Sequence, residues 1–115
     1  MRLTLVLSAA VALLAPSAAL CDEAPATEVT LTLKDHRFSP ETVTVPAGAR
    51  VHIELINQDP ATEEFDSDDL RVEKDVTPHG RVSFSVGPLK PGVYGFMGEL
   101  HADTASGQLK VVAAE

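Results

Sequence analysis

Beyond residue 27, apolar and polar residues alternate along most of the chain with a period of two, the spacing that puts successive side chains on opposite faces of a strand. Val29, Leu31 and Leu33 alternate with Thr30 and Thr32 and predict a half-buried strand from Glu28 to Lys34. Glu41 to Val45 predicts a second. From Arg50 to Asn57, Val51, Ile53 and Leu55 fall on one face, and His52, Glu54 and Ile56 on the other. Glu63 to Asp66 predicts a short strand with Phe65 inward, Leu70 to Lys74 another, and Arg81 to Val86 one with Val82, Phe84 and Val86 inward. Val93, Tyr94 and Phe96, then Leu109 and Val111, predict two last strands on either side of a compact loop.

Turn chemistry separates these segments. Asp35-His36-Arg37-Phe38-Ser39-Pro40 reads as a turn whose Phe38 anchors in the core; Pro46-Ala47-Gly48, Asn57-Gln58-Asp59-Pro60, Pro78-His79-Gly80 and the run Pro88 to Gly92 end or start strands. Seven to eight short strands, with turn signals at roughly ten-residue intervals and no helical pattern after the first twenty or so residues, predict an all-β fold, a Greek-key β-sandwich. No internal repeat or low-complexity tract interrupts it.

The amino terminus has a different pattern. Met1-Arg2, the apolar run Leu3 to Leu14 and the small residues up to Cys21 predict an export signal over residues 1–21, cleaved near 19–21, too short to span a membrane comfortably. Acylation of Cys21 is the alternative, disfavoured by the bulky Leu20 before it. A flexible leader over 22–27 and one domain over 28–115 follow, and the expected location is the periplasm. Cys21 is the only cysteine, which excludes an intrachain disulfide.

Without Arg2, eight Lys and Arg face seventeen Asp and Glu, and eight of those acids lie between Asp59 and Asp75. This balance argues against nucleic-acid binding, which needs a basic footprint, and favours cations. No nucleophile elbow, zincin helix or phosphate-cradling glycine loop is present, so no enzyme activity is expected. The compact loop instead gathers potential metal ligands: Met97, Glu99, His101 and Asp103, closing at Gly107.

Tyr94 and Phe96, then His101, then Gly107 resemble the signature of the cupredoxins: an aromatic strand leading to a cysteine, a loop supplying histidine and methionine, and a glycine opening the last strand. The run Phe38-Ser39-Pro40, Val43, Val45, Gly48 and Asn57 is similar to the amino-terminal half of that pattern. Gly98 stands where the thiolate would be and Ala105 where the methionine would be, so the resemblance implies the fold without a blue-copper site. Asn57-Gln58-Asp59, Glu64-Phe65-Asp66 and Pro88 to Tyr94 look most like the EfeO-type cupredoxin-like group of periplasmic iron-uptake proteins.

In that family the first histidine ligand occupies the segment held here by Glu63-Glu64-Phe65-Asp66. Alternation puts Glu64 and Asp66 on one face, with Glu63 and Phe65 on the other. The expected metal ligands are Glu64, Glu99 and His101, with Glu63, Asp66, His36 and Met97 as further candidates; His52 and His79 are assigned no role. Oxygen and imidazole donors suit copper(II) or iron better than copper(I). The resemblance implies a part in ferrous-iron uptake, with a ferrous-iron permease and a periplasmic iron-binding protein as partners. The alternatives are a metal-free module that docks on such a partner and, lastly, an electron-transfer copper protein.

Overall fold

The computed structural model describes Ala10 and residues 25–114. The predicted export signal, apart from Ala10, and residues 22–24 of the leader lie outside the described residues. Among the described residues no helix is long and apolar enough to cross a membrane.

Among the described residues nine strands form two sheets: β1 Thr27–Lys34, β2 Arg37–Ser39, β3 Thr42–Pro46, β4 Val51–Asn57, β5 Glu63–Ser67, β6 Val72–Val76, β7 Arg81–Val86, β8 Gly92–Gly98 and β9 Ser106–Val112. One sheet runs in the order β2-β1-β4-β7 and the other β3-β9-β8-β5-β6. The pairs β1/β4 and β3/β9 are parallel and the remaining ladders antiparallel, so the chain crosses repeatedly from sheet to sheet. The all-β sandwich expected from the alternation is the fold observed.

Two elements differ from expectation. β2 is a strand where the sequence suggests only a turn, because three residues are too few to display a period of two. Phe38 lies opposite Leu33 in its ladder and is buried. β6 runs from Val72 to Val76 rather than from Leu70 to Lys74. Leu70 is buried from the preceding turn instead, where its N–H donates to Ser67 Oγ at 3.0 Å, and Val76 takes the inward position.

Four phenylalanines fill the space between the sheets. Phe65 is completely buried, with Phe84 4.9 Å and Phe96 5.1 Å from its ring centroid, and Phe38 stands edge-on to both Phe65 and Phe96. Burying each aromatic side chain contributes about 1.5–3 kcal/mol. Opposite Phe96 in the β8/β9 ladder is Gly107, where a Cβ would lie 2.6 Å from the phenyl ring. The residue that closes the ligand loop is therefore glycine because the core aromatic occupies its side-chain space.

Several connections converge at one end of the sandwich. The N–H of Gln58 donates to Leu33 O at 2.8 Å, tying the segment after β4 to the end of β1; Asn57 N–H donates to Gly80 O at 2.8 Å and His79 N–H to Asp59 O at 3.0 Å. The β1–β2 turn, the β4–β5 loop and the β6–β7 turn are thus bound to one another.

Candidate metal centre

Phe65 sets the parity of β5. Because it points into the core, Glu63 and Ser67 must point inward with it, and all three are buried. An inward carboxylate demands partners, since burial of an unpaired charge is very costly. Glu63 Oε1 accepts the N–H of Glu64 at 3.0 Å and that of Leu100 at 2.9 Å, and Oε2 lies 2.5 Å from His101 Nδ1.

His101 ends the 3-10 turn Glu99–His101 that follows β8. Its carbonyl accepts the N–H of Ala105 at 2.8 Å, and Gly98 N–H donates to Ala105 O at 2.9 Å, which closes the loop on itself. Gly98 makes room for Glu63. A Cβ at position 98 would lie 2.6 Å from Glu63 Cδ, 2.9 Å from its Oε2 and 2.8 Å from Ala105 Cβ. The carboxylate of Glu63 therefore fills the space into which a side chain at 98 would project.

His36 arrives from the other sheet. Its imidazole stacks on that of His101 with centroids 3.6 Å apart and planes 14° from parallel. The turn that carries it is a tight one in which both Asp35 and His36 have positive φ, 52° and 56°. Asp59, itself buried, holds this turn: Oδ1 accepts the N–H of Asp35 at 2.7 Å and Oδ2 that of His36 at 2.9 Å. Burial pushes the Asp59 carboxyl up, but those two donors, helped by the charges of His36 and His101, outweigh it and hold the group below its ordinary value.

Donor atoms of His36, Glu63 and His101 all lie within 4.8 Å of one another. Two imidazoles and one carboxylate fit a divalent transition ion. A blue-copper centre is built on a thiolate, and none of these three side chains supplies one.

The expected ligands divide between two faces. Glu64 and Glu99 come together, but with Glu73 rather than with His101; the carboxylate oxygens of these three lie within 4.8 Å of one another on the outward side of β5 and β6. Sharing a hydrogen bond with Glu73, partial desolvation, and the bond to and charge of Glu99 push the Glu64 carboxyl up to about 7. His101 lies with Glu63 and His36 instead. Asp66 alternates outward with Glu64, opposite Met97 in the β5/β8 ladder; Met97 is 41% exposed, neither core filling nor in either cluster. Asp103 is exposed in the loop. His52 lies on the sheet surface within 3.2 Å of Ser85 Oγ, and His79 sits in the β6–β7 turn.

Asp59 is not among the functional residues expected from the sequence. Its position in turn chemistry gave a reason for an Asp there, and nothing in the local pattern announced that it would be buried against a turn 23 residues away.

A family model for the cupredoxin-like domain matches residues 4–111 of the chain. An uncharacterized protein of Rickettsia prowazekii (strain Madrid E) is 45% identical over 80 residues, which cover 70% of this chain; the chain spans 64% of that relative's length. Among solved structures, the metal-binding domain of the Cu(I)-exporting P-type ATPase CopA of Streptococcus pneumoniae D39 is similar with a TM-score of 0.67 and 12% identity, over 76% of this chain and 86% of that one. Auracyanin A, a "blue" copper protein of Chloroflexus aurantiacus, is similar with a TM-score of 0.65 and 13% identity, over 76% of this chain and all of that one (100%). A purple cupredoxin of Nitrosopumilus maritimus gives a TM-score of 0.57 and 16% identity, over 73% of this chain and 99% of that one. At these identities the structural likeness shows the fold.

Proposed function

The chain belongs to the cupredoxin-like domain family, and from that membership we propose that it binds one divalent transition ion, copper(II) or iron(II), through His36, Glu63 and His101. The observation that carries this reading is the buried Glu63 carboxylate, bonded to His101 in the space a side chain at Gly98 would take. Copper in the similar ATPase domain and blue copper protein supports a transition metal in general. The donor set supports a harder ion than copper(I), since soft thiolate and thioether ligands are what select copper(I). A bound copper or iron ion would supply Lewis acidity and a one-electron couple. The chain's part is to fix the Glu63 carboxylate with two backbone N–H groups, leave both imidazoles partly exposed, and bring the two sheets to one point.

We further propose that the protein is a periplasmic carrier rather than an enzyme, and that it acts in ferrous-iron handling. It would pass the ion to a membrane permease or exchange it with a periplasmic iron-binding protein. The export-signal pattern, the acidic balance and the resemblance to iron-uptake proteins support this role.

One observation favours a second reading. Glu63 already has two backbone N–H donors and the ring of His101 as partners, so its buried carboxyl is satisfied without any metal. On that reading the same end of the sandwich docks on a partner protein. Calorimetric titration of the chelator-stripped chain separates the two, using Cu(II) and, anaerobically, Fe(II). Saturable uptake near one equivalent is the expected result, and no uptake of either ion would leave the docking module.

A further inference from the structure

We infer that Asp59 is the positioning residue of this centre: it clamps the β1–β2 turn so that His36 is held over His101 as a ligand. The inference rests on the metal reading above and adds to it how a ligand from one sheet is fixed against ligands from the other. The bland alternative is that Asp59 merely ties two loops together.

Three observations weigh against that alternative. First, the clamp is specific to the turn residues: both carboxylate oxygens are used, one on the N–H of Asp35 and one on that of His36. Second, Asp35 and His36 both take left-handed backbone angles, where glycine or asparagine is most at ease. A glycine at 36 would make the turn at less cost. The chain instead carries an imidazole there, in a left-handed conformation that costs a residue with a Cβ more than it costs glycine.

Third, Asp59 is anchored independently of the centre. Its N–H donates to Asn57 Oδ1 at 3.0 Å and its carbonyl accepts from His79; Asn57 Nδ2 donates in turn to Ala61 O at 2.8 Å and Thr77 O at 3.1 Å. The buried Asn57 thus fixes Asp59, Asp59 fixes the turn, and the turn places the His36 ring, whose Nδ1 lies 3.6 Å from Asp59 Oδ2, against that of His101. Groups that orient ligands in this way typically change metal affinity by about 10–100-fold when removed.

The test uses the whole chain, Cu(II) as probe, affinity by chelator competition, the nitrogen pattern of the Cu(II) electron paramagnetic resonance spectrum, and the thermal midpoint of the metal-free protein. His36→Gly removes the ring while easing the turn. It is expected to lower affinity at least about tenfold, to reduce the spectrum from two imidazole nitrogens to one, and to leave the midpoint equal or higher. Asp59→Ala is expected to give the same loss of affinity and the same spectral change. Asp59→Asn, which keeps one acceptor oxygen, recovers part of it and serves where Asp59→Ala does not fold. Asp59→Ala should cost nothing further in the His36→Gly background.

If His36→Gly binds as tightly as the wild type with its spectrum unchanged, while His101→Ala fails to bind, the inference falls and a centre of Glu63 and His101 remains. An equal loss from Asp59→Ala with or without His36 would make Asp59 merely structural and also overturns it. A wild-type chain that takes up no Cu(II) overturns both this inference and the metal reading.

Discussion

The carboxylate of Glu63 and the missing side chain of Gly98 occupy the same space: a Cβ on Gly98 would stand 2.6 Å from Glu63 Cδ. No side chain fits at position 98 unless Glu63 moves. Glu63 and Gly98 thus share one site in the fold. Both come from strands of the same sheet, and the residues paired across it, Phe65 with Gly98, hold the two in register.

Gly98→Ala is accordingly expected to destabilise the chain by about 1–3 kcal/mol, the usual cost of forcing an extra methyl group into a filled site. Glu63→Ala would open that space, so the cost of Gly98→Ala should fall in its background. A double-mutant cycle in urea reads the difference as coupling between the two residues. Additive effects would mean that the close approach is relieved elsewhere.

Glu63 should also matter to the metal-free fold. Glu63→Ala leaves the N–H groups of Glu64 and Leu100 without their acceptor, along with His101 Nδ1. The expected loss is about 1–3 kcal/mol, the penalty of leaving part-buried groups unpaired, with some relief from water because His101 and Leu100 are partly exposed. Glu63→Gln keeps a side-chain oxygen acceptor and should lose less. Equilibrium unfolding in the presence of a chelator measures both.

The outward carboxylates predict a pH dependence of the opposite kind to that of a salt-bridged acid. Glu64 is held up to about 7 in the fold, against 4.5 for an unperturbed glutamate. Between those values the folded chain keeps a proton that the unfolded chain has released. Stability from this group is therefore full at the acid end and declines as pH rises through the window. Glu64→Gln should flatten the thermal midpoint against pH across that window and raise it at the alkaline end. An unchanged slope in the variant would show that the crowding of Glu64, Glu73 and Glu99 is relieved in solution.

The strands were legible because side-chain parity is a local property. Val29, Leu31 and Leu33, or Val51, Ile53 and Leu55, announce their buried face within a few residues. The same parity put Glu63 on the side of Phe65. What it could not tell was that the inward face opens into the loop end of the sandwich, where a buried acid meets His101; on the sequence alone, outward Glu64 and Glu99 were the more natural ligands. They do meet each other, because they lie on adjoining elements of one surface. His36 and Asp59 were harder still. The stacking of His36 on His101 and the clamp from Asp59 join segments remote in sequence, and no periodicity in either segment encodes the meeting.

β2 and β6 illustrate the same limit on a smaller scale. Three residues around Phe38 form a strand because β1 offers a ladder, and β6 shifts by two residues because the turn buries Leu70. Pairing partners decided both, and neighbours in sequence did not.

The inward Glu63, and not the outward Glu64 or Glu99, is expected to complete the metal centre with His101. The most direct test is the Cu(II) affinity of three single variants, Glu63→Gln, Glu64→Gln and Glu99→Gln, measured by competition with a chelator of known strength. Glu63→Gln should weaken binding at least about tenfold, and the other two should stay close to the wild type. Binding that survives Glu63→Gln and is lost on Glu64→Gln or Glu99→Gln would move the ion to the outer face and contradict the account.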